Sequence, residues 1–329
     1  MAKYDLVTFG ETMVRLSPPN FKRLEQTSSL DVNVGGAEMN VAVAVARLGL
    51  DTAYVTRLTD NPLGRLIRNK ARELGVDTSH ILWTDADRAG IYFLEFGASP
   101  RPSAVIYDRA NSAISKIKPG EVDWKSIFSD CRLFHTSGIT PALSDTAAEA
   151  AKEALQAAKD AGVTTSIDLN YRSRLWNEDK AQEIMTELME YTDILECTEE
   201  DTFRVFKIKG KDYKEVAGTL TDKFGFSIVG ITLRETISVW RNKWTALAYS
   251  EGKFYETATY DIEIVDRVGA GDSFTAGMLW GYLKGDLQKG VDLGVAFSAL
   301  KQTTPGDLNF TTIEEAERIM SGAGLRIVR

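Results

Sequence analysis

The stretch Asp266-Arg267-Val268-Gly269-Ala270-Gly271-Asp272-Ser273-Phe274 follows an extended run of the chain and opens an amphipathic segment. Small residues at Gly269, Ala270 and Gly271 let the backbone come close to a ligand. The first turn of a helix also carries unpaired N–H groups at the positive end of the helix dipole, and these favour a bound anion. The sequence therefore predicts an anion hole built from backbone N–H groups at these three positions.

Asp272 places a carboxylate directly beside this predicted anion hole. A carboxylate repels a resting phosphate, but a positioned Asp can accept the proton of an attacking hydroxyl while a phosphoryl group is transferred. The alternative is that Asp272 only caps the helix, and the bare pattern taken alone favours that alternative. The chain contains no Walker A loop, and Phe274 stands where a dinucleotide fingerprint has its third Gly.

Upstream of this stretch, predicted strands and helices alternate along the chain. The apolar runs are short, and two of the helical segments stop at Leu48-Gly49 and Leu74-Gly75. Such alternation predicts the α/β class, with a doubly wound, mostly parallel sheet flanked by helices. The predicted strands are 4–9, 52–57, 133–137, 164–169 and 194–195, and the predicted helices are 39–48, 63–74, 145–161 and 180–189.

Other segments are extended but have no helix between them. Gly90 to Phe96 and Ala104 to Asp108 follow each other in this way. No linker-like stretch separates them from the rest, so we predict one domain over residues 1–329, with the strands of a small lid inserted at about 12–34 and 90–112. Beyond position 225, strands are predicted at 227–232, 237–241, 246–250 and 253–256, before closing helices from 272 onward.

Composition excludes several classes of partner. The formal net charge of the 329 residues is -8, which argues against general affinity for nucleic acid or anionic lipid. No window holds the roughly 20 apolar residues of a membrane span, and the amino terminus enters a strand pattern at once, so we expect a cytoplasmic protein. The two cysteines and two histidines lack metal-site spacing, so no zinc site or disulfide is expected.

The segment from Asp266 to Gly277 resembles the carboxy-terminal signature of the ribokinase-like (PfkB) carbohydrate kinases. Gly35-Gly36-Ala37-Glu38-Met39-Asn40 resembles their amino-terminal signature, and two motifs in this order are more specific than either alone. The similarity extends over essentially the whole chain, including Asp60-Asn61-Pro62-Leu63-Gly64 and Glu73-Leu74-Gly75-Val76-Asp77. The family fold is a doubly wound sheet with a small β lid, which agrees with the prediction from the pattern.

The resemblance implies that Asp272 is the catalytic base and that the anion hole stabilises a transferring phosphoryl group, with ATP as donor and Mg²⁺ as its counterion. Cys197-Thr198-Glu199-Glu200 replaces the family's Asn-x-x-Glu motif and keeps only Glu200, so a link of Glu200 to Mg²⁺ is expected to be indirect, through water. Arg267 stands where the family usually has a small residue or proline. Thr232 and Arg234 are the expected nucleotide-binding residues, although Arg234 is equally compatible with an ordinary surface position.

Four further segments resemble the 2-keto-3-deoxygluconate kinases of this family, at 90–93, 106–109, 137–140 and 168–176. A substrate carboxylate favours Arg and Tyr donors, because a guanidinium pairs with it through two hydrogen bonds. Without the resemblance, the tyrosines fit packing within a small sheet and the arginines fit surface positions. By resemblance, the sugar-acid ligands are Gly36, Tyr92, Tyr107, Arg109 and Arg172, supported by Asn40 and Asn170.

These observations predict an ATP-dependent kinase that phosphorylates the terminal hydroxyl of 2-keto-3-deoxygluconate to give the 6-phosphate. A ribokinase-like kinase for another sugar, such as fructose, is one alternative, and a non-catalytic sensor of a sugar acid or nucleotide is another. Exposed lid strands suit pairing between copies of the chain, so a homo-oligomer joined through the lid is expected. The sequence does not distinguish gluconate-derived from galactonate-derived acids.

Overall fold

The computed structural model describes residues 2–322 and contains two β-sheets with helices around the larger one. The strands are β1 (Tyr4–Phe9), β2 (Met13–Ser17), β3 (Asp31–Gly35), β4 (Thr52–Thr59), β5 (Ile81–Thr84), β6 (Ile91–Glu95), β7 (Ala104–Asp108), β8 (Cys131–Ser137), β9 (Thr164–Asp168), β10 (Ile194–Cys197), β11 (Ile228–Ser238), β12 (Arg241–Ser250), β13 (Lys253–Glu256) and β14 (Tyr260–Glu263). The helices are α1 (Ala37–Arg47), α2 (Pro62–Glu73), α3 (Trp124–Phe128), α4 (Ile139–Ala142), α5 (Asp145–Asp160), α6 (Glu178–Met189), α7 (Glu199–Phe206), α8 (Tyr213–Phe224), α9 (Ala270–Lys284), α10 (Leu287–Lys301) and α11 (Ile313–Met320).

The larger sheet has ten strands, in the order β13-β12-β11-β10-β9-β8-β1-β4-β5, with β14 also paired to β12. Every neighbouring pair from β11 to β5 is parallel, whereas β12 runs antiparallel to β11, β13 and β14. From β1 the chain continues first to β4 on one side and later to β8 on the other. The carboxyl ends of β1 and β8 therefore flank the point where the strand order reverses, which is where such folds bind ligands.

Alternate side chains of the central strands enter two apolar cores on opposite faces of this sheet. On β1, Leu6 packs with residues of α1, α9 and α10, while Val7 and Phe9 pack with residues of α5 and α6. Leu133 and Phe134 of β8 divide between the two cores in the same way. Because successive side chains of a strand point to opposite faces, these strands are covered on both sides. The predicted doubly wound α/β fold is confirmed.

The smaller sheet has four strands in the order β3-β2-β6-β7. The pairs β2–β3 and β6–β7 are antiparallel, and β2 pairs with β6 in parallel. This sheet, called the lid below, consists of segments from the two predicted insertions. The prediction of a small inserted sheet is confirmed. No helix within residues 2–322 has the length and apolar character needed to cross a membrane.

The structure differs from the predicted elements in the carboxy-terminal half. The predicted break between 232 and 237 is wrong, since β11 continues from Ile228 to Ser238 and only its first part is buried. Its second half projects as a hairpin with β12, so polar residues there face solvent and interrupt the apolar pattern without ending the strand. The helices α7 and α8 were not predicted, although Thr198 and Asp212 each cap one of them by accepting backbone N–H hydrogen bonds.

Candidate active site

A cleft of about 570 Å³ lies between the lid and the carboxyl ends of the parallel strands. Lid strands β6 and β7 line one side of it, the ends of β9, β10 and β11 line another, and the first turn of α9 lies at its base. All of the residues predicted for the site from the sequence line this one cleft: Gly36, Asn40, Tyr92, Tyr107, Arg109, Asn170, Arg172, Glu200, Thr232, Arg234, Gly269, Ala270, Gly271 and Asp272.

The residues of the predicted anion hole lie at the start of α9. Gly269 is the residue before the helix and has a φ of +85°, and a Cβ at this position would collide with the carbonyl of Asp307, so the turn requires Gly. The N–H of Ala270 donates to the carbonyl of Arg267 at 3.3 Å and is therefore used within the turn. Among the described residues, the N–H groups of Gly269, Gly271 and Asp272 have no such partner. Those of Gly271 and Asp272 belong to the first turn of α9, where the helix dipole also favours an anion.

The carboxylate of Asp272 is buried beside these N–H groups and is 9% exposed. Its Oδ2 accepts a hydrogen bond from Asn40 Nδ2 at 2.6 Å, and no side chain caps α9. The alternative that Asp272 merely caps the helix therefore does not apply. Burial raises the pKa of Asp272 to about 6, although the Asn40 hydrogen bond and the nearby Arg172 guanidinium act in the opposite direction. A carboxyl with this pKa is largely ionised at neutral pH and can accept a proton.

Two buried groups that sequence reasoning missed hold the turn in front of the anion hole. Asp266 accepts the N–H groups of Val268 at 3.1 Å and Gly306 at 3.0 Å. Lys301 is fully buried, and its Nζ donates to the carbonyl of Asp266 at 3.1 Å and to that of Thr304 at 3.4 Å. In the sequence, Lys301 resembles an ordinary cation at a helix carboxyl terminus, so no local signal identifies its role.

Arg15 of the lid reaches into this same network. Its guanidinium, 1% exposed, is 2.6 Å from the carboxylate of Asp266 and 2.7 Å from that of Asp307. The predicted sugar-acid ligand Tyr92 donates its hydroxyl hydrogen bond to Asp307 as well. The hydroxyl of Tyr92 is thus committed to a protein carboxylate, while its ring still lines the cleft. Arg15 and Asp307 were not predicted, and together they connect the lid to the anion-hole turn.

Of the two arginines predicted to bind a substrate carboxylate, one is paired with a protein carboxylate and the other is not. Arg109 pairs with the buried Glu11, whose Oε2 accepts hydrogen bonds from both Nε, at 2.8 Å, and Nη2 of the guanidinium. Arg172 is exposed to the cleft and makes no salt bridge to a carboxylate among the described residues; its Nη1 is 3.4 Å from the carbonyl of Tyr171. Of these two guanidinium groups, Arg172 is therefore the one free to pair with a bound anion.

Carboxylates cover the wall of the cleft opposite the lid, at the ends of β9 and β10. Burial raises the pKa of Asp168 to about 8, with the negative charges of Asp272 and Asp201 adding to the effect. The side chain of Glu200 is mostly exposed and pairs with Arg204 at 2.7 Å. Asp168 and Asp201 are further site candidates that the sequence analysis did not single out, since acidic residues at strand and helix ends are common.

This acidic wall suits a divalent cation carried on a nucleotide. Among the described residues Asp168 and Asp201 make no salt bridge, whereas Glu200 pairs with Arg204. Oxygen ligands are the ones that Mg²⁺ prefers. Within residues 2–322, however, no three His, Cys, Asp or Glu side chains are grouped closely enough to hold a metal ion by themselves. The arrangement thus fits an ion bound mainly through phosphate and water, with protein carboxylates outside its first coordination shell. Glu200 is already paired with Arg204, so its charge is partly neutralised.

Comparison with known proteins gives consistent matches over the whole chain. A family model described as pfkB family carbohydrate kinase matches residues 3–314. A 2-dehydro-3-deoxygalactonokinase of Haloferax volcanii is 41% identical over 326 residues, which cover 99% of this chain and 99% of that protein. A 2-dehydro-3-deoxygluconokinase of Bacillus subtilis is 29% identical over 308 residues, with 93% and 92% covered.

A solved structure extends the same similarity to three dimensions. The crystal structure of a 2-dehydro-3-deoxygluconokinase from Thermotoga maritima superimposes with a TM-score of 0.94. It is 48% identical in sequence, and the match covers 96% of this chain and 98% of that one. The relatives thus include proteins named for the galactonate-derived acid and proteins named for the gluconate-derived acid.

Proposed function

This chain belongs to the pfkB family of carbohydrate kinases, and from that membership we propose that it transfers the γ-phosphoryl group of ATP to the terminal hydroxyl of 2-keto-3-deoxygluconate. The enzyme class follows from the family: it is a phosphotransferase with an alcohol group as acceptor. The substrate, the donor and the roles of individual residues are the parts that we propose. The product in this scheme is the 6-phosphate.

One observation carries the proposal: a single cleft holds a proton acceptor, an anion hole and an unpaired guanidinium. Asp272 is the acceptor, the N–H groups of Gly271 and Asp272 form the hole, and Arg172 is the guanidinium. A sugar acid has a hydroxyl to be deprotonated at one end and a carboxylate to be bound at the other. The three groups match these needs, whereas a neutral sugar offers Arg172 hydroxyl oxygens but no negative charge to pair with.

In the proposed mechanism, the sugar acid binds under the lid with its carboxylate toward Arg172 and its terminal hydroxyl toward Asp272. Asp272 accepts the hydroxyl proton as the oxygen attacks the γ-phosphorus, and the bond from that phosphorus to the leaving ADP oxygen breaks in line. The N–H groups of Gly271 and Asp272 stabilise negative charge on the transferring group. Gly36 and Tyr107 contribute the surface against which the sugar packs, and Asn40 holds Asp272 in place.

Arg109 has a different proposed role from Arg172, because Glu11 already neutralises its charge. Its remaining N–H groups can hydrogen-bond a substrate oxygen without adding net charge.

Asn170 has a φ of +36° and donates to both oxygens of Asp168, so we propose that it orients that carboxylate at the edge of the site. Asn is one of the residues that tolerate such a backbone conformation.

We propose that ATP lies across the carboxyl ends of β10 and β11, with Thr232 and Arg234 beside it. Mg²⁺ carried on its phosphates would neutralise their charge. The carboxylates of Glu199, Glu200 and Asp201 line this part of the cleft and would hold the ion through water. A kinase of this kind works where ATP is available, so we place it in the cytoplasm.

A substrate panel tests the proposal. With Mg²⁺ and ATP, we expect ADP release with 2-keto-3-deoxygluconate and 2-keto-3-deoxygalactonate, and little with gluconate, fructose or ribose. Arg172→Met should raise KM for the keto-deoxy acids by about tenfold or more, because a charge-assisted hydrogen bond is lost. Arg68→Met is the control, since Arg68 lies on α2 outside the cleft and its side chain donates hydrogen bonds only to Asn69 among the described residues.

The outcomes of this panel separate the alternatives. Turnover with fructose or ribose in place of the keto-deoxy acids would leave a pfkB kinase with another substrate. Binding of ATP or a sugar acid without any turnover would support a sensor. Unequal kcat/KM for the two keto-deoxy acids would identify the preferred configuration at C4, the one carbon at which these substrates differ.

We also propose that the lid and the main sheet form one folding unit.

A further proposal is that two copies of the chain associate through the lid. Val32 and Ile106 are large apolar side chains of the lid and are 55% and 54% exposed. They lie on its outer strands β3 and β7, whose free edges favour pairing. Light scattering should give the mass of a dimer for the wild type and of a monomer for Ile106→Glu, and a monomeric wild type would refute the association.

A further inference from the structure

Two arginines that line the cleft make no salt bridge with a carboxylate of the described residues. Arg234 lies on β11, and Arg267 lies on the loop that leads into the anion hole. The guanidinium–carboxylate pairs found within residues 2–322 involve other arginines, such as Arg15, Arg109 and Arg241. Burial lowers the pKa of Arg267, and the positive charge of Arg234 lowers it further, so the two guanidinium groups repel each other. The carboxylate of Asp266, which is already paired with Arg15, acts in the opposite direction.

The donors of Arg267 are mostly unused. Its Nη2 donates to the carbonyl of Val239 at 2.7 Å, and no other hydrogen bond from its side chain is present among the described residues. A guanidinium has five N–H donors, so the contact with Val239 leaves several available. Holding the half-buried guanidinium of Arg267 beside that of Arg234 costs free energy, which an anion bound between them would offset.

We propose that Arg267 and Arg234 form a two-arginine clamp for the terminal phosphates of the nucleotide. This inference rests on the proposed function, in which ATP occupies that side of the cleft. Arg267 belongs to the same turn as the anion hole, since its carbonyl accepts the N–H of Ala270. In this proposal the two guanidinium groups bind the β- and γ-phosphates, while the N–H groups of Gly271 and Asp272 bind the γ-phosphate at the start of α9. Planar guanidinium groups are well suited to this, because each can bind two phosphate oxygens.

Arg267 also has a structural contact that an experiment must separate from phosphate binding. The turn at Val239 and Trp240 is held by Arg267, and the ring of Trp240 contacts Phe21 at 5.2 Å and Phe96 at 6.2 Å between centroids. Phe21 and Phe96 lie in the loops that follow the lid strands β2 and β6. Removal of Arg267 could therefore loosen this contact with the lid, and a single alanine variant is not sufficient as a test.

The experiment measures nucleotide binding in the full chain by calorimetry, using ATP, ADP and AMP with Mg²⁺. For Arg267→Ala and Arg267→Met we expect the Kd for ATP to rise about tenfold or more, because at least one charge-assisted hydrogen bond is lost. The Kd for ADP should rise less, and the Kd for AMP should stay within twofold. Arg234→Ala should behave in the same way. Arg267→Lys should recover part of the ATP affinity, since it restores the charge without the planar fork.

Arg241→Ala is the matched control, since Arg241 lies on the same hairpin, is exposed and pairs with Asp261 at 2.7 Å. It should leave all three Kd values unchanged. ATP and ADP affinities within twofold of wild type in both Arg267→Ala and Arg267→Met would overturn the clamp. An equal loss of ATP and AMP affinity would also overturn it, because that result indicates distortion of the site by the loosened hairpin.

The same data distinguish failure of the clamp from failure of the proposed function. If the wild type binds ATP and phosphorylates a keto-deoxy acid while the Arg267 variants bind ATP normally, only the clamp is wrong. If the variants lose ATP and ADP affinity but no sugar acid is phosphorylated by the wild type, the clamp stands and the proposed substrate falls. A wild type that does not bind ATP would refute both.

Discussion

Replacing Asp272 with Asn should lower kcat by about 10²- to 10⁴-fold, the range that a positioned general base contributes. The amide has nearly the same size as the carboxylate, and its carbonyl oxygen can still accept the hydrogen bond from Asn40 Nδ2. Substrate binding should therefore change little, with KM for the sugar acid within a few-fold of wild type. Steady-state kinetics of ADP release, with both substrates varied, give kcat and KM separately.

Asp286→Asn is the control for this variant. Asp286 is exposed and is a true helix cap, since its carboxylate accepts the N–H of Lys289 at 3.0 Å at the start of α10. It has no contact with the cleft, so its variant should keep wild-type kcat. Near-normal turnover in Asp272→Asn would show that Asp272 is not the base.

The pH dependence of the reaction gives an independent measure of the same group. Burial raises the pKa of Asp272 to about 6, and only its ionised form can accept a proton. In the wild type, kcat/KM for the sugar acid should therefore be full above about pH 7 and fall about tenfold per pH unit well below that pKa. The residual activity of Asp272→Asn should lack this acidic limb.

Replacing Arg15 with Met should destabilise the protein by about 3–5 kcal/mol, the usual cost of removing one partner from a buried ion pair. The guanidinium of Arg15 is 1% exposed, and its loss leaves the buried carboxylates of Asp266 and Asp307 without this cation. Burial already raises the pKa of Asp307, and Arg15 is the main group that opposes this rise. Urea unfolding, followed by circular dichroism, measures the change in the free energy of unfolding.

Arg65→Met is the comparison for the stability experiment. Arg65 pairs with Asp60 at 2.8 Å, but the side chains are 45% and 60% exposed, so its loss should cost less than about 1 kcal/mol. A change of that same small size in Arg15→Met would show that the buried network contributes little. Because Asp266 also holds the N–H groups of Val268 and Gly306, the folded fraction of Arg15→Met should have a lower kcat as well.

Much of the site could be predicted because its residues lie in two local motifs and at strand ends. Gly269 and Asp272 are near neighbours in sequence, and a Gly-rich turn before a helix has the same chemistry in any protein that contains it. The charged residues that hold this turn in place, by contrast, have no such local signal in the sequence. Arg15 and Asp307 are 292 residues apart, and neither differs in its local sequence from an ordinary surface charge.

The state of each charged group depended on contacts that the sequence does not encode locally. Arg109 and Arg172 were predicted as equivalent ligands, yet Glu11, 98 residues from Arg109, neutralises only one of them. Tyr92 is predicted as a sugar-acid ligand, and only the structure shows that its hydroxyl donates a hydrogen bond to Asp307. Burial, which determines the pKa of a carboxyl, is likewise a property of the packed structure.

By itself, the sequence determined the fold class, the lid and where the Gly-rich turn before a helix lies, because hydrophobic periodicity and Gly-rich turns act over a few residues. Only the tertiary structure decided which guanidinium is free, which carboxylates are buried and how the lid is joined to the anion hole. The physical reason is that electrostatic pairing and desolvation depend on distances in space, and folding brings together charges that lie hundreds of residues apart in the chain.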